Sequence, residues 1–89
     1  MKYLVQGMES EKKIRCLIAQ TQIEREDLIS ALIDHFVKGQ GVTFAATMNG
    51  VAQPNMVDPI AKLNEVACHN ERYHELKIYE LTSINEKVA

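Results

Sequence analysis

The segment from Thr21 to Gly39 constrains this chain most, because it carries a start signal, an apolar stripe and a stop signal for a single helix. Thr21-Gln22-Ile23-Glu24 has the form of a capping box: the Thr hydroxyl would take the third amide, and the Glu would reach back to the capping residue. Glu24, Glu26 and Asp27 place negative charge at the positive end of the helix dipole. Leu28, Ile29, Leu32, Ile33, Phe36 and Val37 recur at helical spacing. Lys38 falls in the last turn, and Gly39 supplies the residue type that ends helices in a left-handed conformation. The pattern predicts a helix over Gln22–Lys38.

Turn signals divide the rest into three further helical pieces. The first runs from about Glu9 to Gln20, with Ser10 as N-cap and Ile14, Leu17 and Ile18 on one face; Met1–Gln6 before it is compatible with extended chain. Val42–Met48 makes about two turns, bounded by Gln40-Gly41 and by Asn49-Gly50, both of which tolerate positive φ. The last piece begins between Pro54 and Pro59 and reaches to near His69, with Met56, Ile60, Leu63, Val66 and Ala67 on one face. A final stretch containing Tyr73, Leu76, Lys77, Tyr79, Glu80, Leu81 and Ile84 either continues that helix or restarts after Asn70, and Asn85–Ala89 is expected to fray. These elements predict an all-α fold, a compact bundle of four to five helices. It forms a single domain over residues 1–89 with its core at about 9–82.

Size and charge then bound the function. A chain of 89 residues buries a modest share of its surface, so oligomerisation is a natural source of added stability. Ten Lys and Arg stand against twelve Asp and Glu, whereas domains that live on phosphate contacts are usually clearly basic. Any basic surface must therefore be local or summed over subunits. Cys16 and Cys68 form no paired motif and lie in apolar-periodic stretches, which suggests two buried reduced thiols. No apolar run is long enough to span a bilayer and the N-terminus has no signal-peptide core, so the expected location is the cytoplasm.

The order of elements is informative. A long helix, a tight connection, a two-turn helix, a sharp Asn-Gly turn and another long helix have the anatomy of a helix-turn-helix. Ala45 and Ala46 would let the short helix cross its neighbour closely. Val51 would anchor the chain after the turn, and Met56, Ile60 and Leu63 would hold the following helix on the core.

From Leu17 to about Val66 the chain resembles the PapB-type adhesin-biosynthesis transcription regulators of enterobacterial fimbrial operons. Ala31-Leu32-Ile33-Asp34-His35-Phe36-Val37-Lys38-Gly39 is similar to that family's A-L-x-D-Y-L-V-x-G segment, and Lys62-Leu63-Asn64-Glu65-Val66 to its R-L-N-R-V. Leu17-Ile18 and Ile23 match in register. The resemblance implies an all-α fold, oligomers, and binding to AT-rich operon DNA with little strict base readout and no cofactor. Between the matching segments the chain departs from the family. Val42-Thr43 replaces an Arg-Lys pair, Met48 replaces a Lys, and Val57-Asp58-Pro59 replaces a polar Ser-Thr-Thr stretch. Between Lys38 and Lys62 no positive charge remains.

Pro59 bears on the same region. Inside a helix begun at Pro54 it would remove the bond to the Asn55 carbonyl and clash there, at a cost of about 3 kcal/mol. A helix begun at Pro59 would instead use Asp58 as N-cap and would lose the first turn of the recognition helix. Two expectations follow. In one, the protein is a DNA-binding regulator of a fimbrial operon, contacting double-stranded DNA through Lys38, Thr43, Gln53, Asn55 and Lys62, with oligomer avidity. In the other, it is a degenerate helix-turn-helix module that oligomerises or pairs with a paralogous regulator and has little DNA affinity. Tyr73, Leu76 and Tyr79 are the expected oligomer interface.

Catalysis and metal binding are the weaker readings. Cys68, His69, Glu71 and His74 lack the spacing of a structural zinc site, so the histidines read as surface residues. Nothing orients Cys16, Asp34 and His35 as a nucleophile set, and a chain this short has little room for a catalytic cleft. His35 reads as a boundary residue, Met48 and Met56 as core fillers, and Glu71, Arg72, Glu75 and Lys77 as a solvated face. Neither an enzyme nor a cofactor is expected.

Overall fold

A computed structural model describes residues 3–88, with side chains through Leu81. Four helices follow in order: α1 (Glu11–Ala19), α2 (Glu26–Phe36), α3 (Val42–Met48) and α4 (Pro54–Val88). The protein is all-helical, and no strand occurs among the described residues. Among the described residues no helix is long and apolar enough to cross a membrane.

Helix α1 starts as its sequence predicts, with Ser10 Oγ accepting from the Lys13 amide at 3.2 Å, and buries Ile14, Leu17 and Ile18. Helix α2 starts later than expected, because no capping box forms. Thr21 lies at the end of α1. Its hydroxyl donates to the Ile18 carbonyl at 2.6 Å and accepts from the Ile23 amide at 3.2 Å. Once the hydroxyl is committed to closing α1, residues 22–25 are non-helical, and α2 begins at Glu26 behind Arg25, which is extended and makes no side-chain cap. Asp27 compensates in the first turn, taking the Leu28 amide at 2.8 Å and the Arg25 guanidinium at 2.8 Å. The helix also ends earlier, at Phe36, and Gly39 beyond it has φ +78°.

Leu28, Ala31, Leu32, Ile33 and Phe36 of α2 form the centre of the core, and α2 touches each of the other helices. Burying these side chains against Ile14, Ala46, Met56 and Leu63 removes them almost wholly from water, the dominant favourable term in a fold of this size. His35, expected at the boundary, is buried. Its Nδ1–H donates to the Gln40 carbonyl at 2.8 Å, and its ring meets Phe36 edge-on. The thiols depart from expectation in the other direction: Cys16 is exposed and Cys68 half-buried.

The chain before α1 straps this core. Leu4 is buried, and Asn64 of α4 accepts the Tyr3 and Leu4 amides, each at 3.0 Å. Gln6 Nε2 donates to the Gly39 carbonyl at 2.8 Å, and a Cβ on Gly7 would stand 2.9 Å from Gly39 Cα.

Helix α4 is a single element. It begins at Pro54, neither stops near His69 nor restarts after Asn70, and stays helical through Val88, past the expected fraying at Asn85. The side chain of Ile84 and all of Ala89 lie outside the described residues. Pro59 is accommodated inside it. The Asn55 and Met56 amides bond back to Ala52 and Gln53 at 2.9 and 3.0 Å, a tight opening turn. The carbonyl that Pro59 leaves without an amide belongs to exposed Asn55, where water can reach it. Among the described side chains of α4 every buried one lies at or before Ala67, and residues 69–81 are exposed throughout. A helix of 35 residues is about 52 Å long, so its second half projects from the core. The radius of gyration, 16.3 Å, accordingly exceeds the roughly 12 Å of a compact chain this long.

Candidate nucleic-acid interface

The corner between α3 and α4 is made by backbone geometry. Gly50 takes φ +70°, its amide bonds the Thr47 carbonyl at 3.2 Å, and the Val51 amide bonds the Ala46 carbonyl at 2.8 Å. This is a Schellman closure, which ends α3 and turns the buried Val51 onto the core. Ala45 and Ala46 are fully buried, which allows close approach to α2. Asn49 locks the corner, donating at 2.8 Å to both the Ala45 carbonyl and Asp34 Oδ2 of α2. That bond, against the opposing effect of burial and with help from Lys38, holds the Asp34 carboxyl below its ordinary range.

The five residues expected to meet DNA are all exposed, but they do not form one patch. Thr43 sits in the first turn of α3, Gln53 immediately before α4 and Asn55 in its first turn. Gln53 and Val42, the neighbour of Thr43, line one open groove of about 820 Å³ with Tyr3, Val57, Ala61 and Cys68. Lys38 lines a different hollow with Glu11, Arg15, Asp34 and Asn49. Lys62 lines a third, with Asp58, Pro59 and residues 20–23. Both lysines are paired, Lys38 to Asp34 at 3.2 Å and Lys62 to Glu65 at 3.8 Å. The Lys62–Glu65 pair is exposed on both sides and weak, whereas the Asp34 carboxylate that holds Lys38 is largely covered.

Two features of this surface were not anticipated from the sequence. Asp58, Ala61, Lys62 and Glu65 follow i, i+3, i+4, i+7 spacing and are all exposed, so the outward face of the first half of α4 carries two carboxylates against one ammonium. The spacing itself was the available signal. Phe44 (55% exposed), Met48 (65%) and Val57 (61%) form the second feature, large apolar side chains left in water around the corner. Met48 is therefore no core filler, although Met56 is. Phe44 and Met48 are four apart with the buried Ala45-Ala46 pair between them, which places them on the opposite face of a short helix.

Tyr73, Leu76 and Tyr79 are exposed. His69, Glu71 and His74 are exposed too, and no group of three or more metal-ligating side chains converges among the described residues. No family model, curated protein or solved structure matches the chain.

Proposed function

We propose that this chain is a helix-turn-helix transcription regulator of a bacterial fimbrial or adhesin operon. In this reading it works in the cytoplasm as an oligomer on AT-rich control DNA, by binding alone, without a catalytic step or cofactor. The observation that carries the reading is the α3–α4 corner, with the Schellman closure at Gly50 and the Asn49–Asp34 bond fixing how the two helices meet. The resemblance of Ala31–Gly39 and Lys62–Val66 to PapB-type regulators supplies the target class. Thr43, Gln53 and Asn55 offer neutral donors and acceptors to phosphates and base edges, and Lys38 and Lys62 supply the charge. With so little positive charge per copy, positioning and DNA shape outweigh direct readout.

A second reading, an interaction module that pairs with itself or a paralogue and has little DNA affinity, rests on the acidic outward face of α4 and on exposed Phe44, Met48 and Val57. A fluorescence-anisotropy titration with an AT-rich duplex over a range of salt separates the two. The regulator binds saturably and weakens steeply as salt rises, with a logarithmic slope of about −0.9 per phosphate neutralised. Thr43→Glu combined with Gln53→Glu abolishes that binding while helicity is unchanged. Absence of binding at low salt by the protein alone rejects the regulator and leaves the module.

A further inference from the structure

The projecting half of α4 carries a seam that continues back onto the core. Lys62, Val66, His69, Tyr73, Leu76 and Glu80 are spaced 4, 3, 4, 3 and 4 residues apart. This is the alternation that keeps one line of side chains facing a partner helix. All six reach solvent: Val66 is half-buried and the other five are exposed. Ile78 and Tyr79 fall on other faces of the helix.

Of the two full-length pairings of this seam with itself, only one is chemically consistent. Laid against itself in parallel, it would place Lys62 on Lys62 and Glu80 on Glu80. Laid antiparallel about a two-fold axis near residue 71, it forms six layers. Lys62 meets Glu80 of the second copy, Val66 meets Leu76, His69 meets Tyr73, and the same three contacts repeat in reverse. Each end closes with an ion pair, the apolar residues face each other, and the two aromatic-type rings meet at the centre. The seam is about 27 Å long. Beyond Glu80 the helix continues to Val88, so in this arrangement it runs on past Pro59 toward the hollow of about 720 Å³ lined by residues 20–23, Asp58 and Lys62.

We infer that two copies of this chain pair antiparallel along α4 through the seam Lys62, Val66, His69, Tyr73, Leu76 and Glu80. The inference rests on the oligomeric part of the function proposed above and is independent of DNA. It makes Lys62 an assembly residue that exchanges its weak contact with Glu65 for Glu80 of the other copy. It also places the two corners at opposite ends of the dimer.

Sedimentation equilibrium of the full chain tests the pairing. The expected particle has twice the mass of the 10.1 kDa chain. Lys62→Glu and Glu80→Lys each juxtapose like charges and raise the dissociation constant about tenfold or more, whereas the double variant returns to within about threefold of the wild type. Both positions are exposed, so circular dichroism should show unchanged helicity. Disulfide trapping reads the direction in a Cys16→Ser, Cys68→Ser background. A Val66→Cys chain mixed with a Leu76→Cys chain forms the mixed dimer, and Leu76→Cys does not link to itself. A monomeric wild type at high concentration overturns the inference. So do single charge reversals without effect, a double variant that stays dissociated, or self-linked Leu76→Cys. Loss of DNA binding with an intact charge-swap pattern counts against the regulator and leaves the seam standing, and DNA binding without the pattern does the reverse.

Discussion

At the scale of single residues, Asn49 does the most to define the corner. It ties the end of α3 to α2 through Asp34 and closes its own helix through Ala45. Asn49→Ala should cost about 1–2 kcal/mol at neutral pH, read from urea unfolding, because a partly buried carboxylate then loses its donor. The sign with pH is definite. Asp34's carboxyl is held low by Asn49 and then by Lys38, so the associated stability is present above the ordinary carboxylate range and is lost as pH falls through the lowered value. The gap between wild type and variant should therefore shrink in acid. This pair could not be read from the sequence: the two residues are 15 apart, and only the packing of α3 on α2 brings them together. Glu9 shows the same limit. Burial raises its carboxyl, but the Val5 amide and the Lys13 ammonium outweigh that and leave it lowered, a contact that depends on how the N-terminal strap folds back.

At the scale of elements, periodicity was a better guide than punctuation. The apolar faces of α1, α2 and the first half of α4 turn to the core as their spacing dictates, with Ile29, Val37, Ile60 and Val66 half-buried at their edges, and Val51 after the turn is buried. The boundaries were harder, because one side chain can serve two helices. Thr21 fits a start signal for α2, but in space it lies against the last carbonyls of α1 and is used there. Pro59 read as a break, yet the break it could cause falls on the solvated side of the opening turn and is tolerated. Tolerance still has a cost: Pro59→Ala restores an amide and should stabilise the chain, by up to about 3 kcal/mol, visible as a raised midpoint in thermal unfolding. The length of α4 has a plainer origin. No Gly or Pro follows Pro59, and Asn70 alone does not stop a helix. Of the candidate site, the exposure of Thr43, Gln53 and Asn55 was legible. The placing of Lys38 and Lys62 in different hollows was not, since it depends on how the helices pack together.

At the scale of the whole molecule, the core and the projection are separable. Among the described side chains everything buried lies between Leu4 and Ala67, so a chain ended after Asn70 should keep a cooperative thermal transition. The full chain should melt at a temperature that rises with protein concentration, because association stabilises it; the shortened chain should melt at one that does not. Differential scanning calorimetry over a concentration series reads both. The strap and the projection together also set the distance between Tyr3 and Val88. Tyr3 is tied to Asn64, in the first third of α4, while α4 itself runs on to Val88, an axial offset of about 36 Å. A short peptide linker cannot bridge Tyr3 and Val88, so a circular permutant joined at those two residues would require either a long spacer or loss of the final turns. The end of α4 at Val88 is carried well clear of its own copy's helical corner.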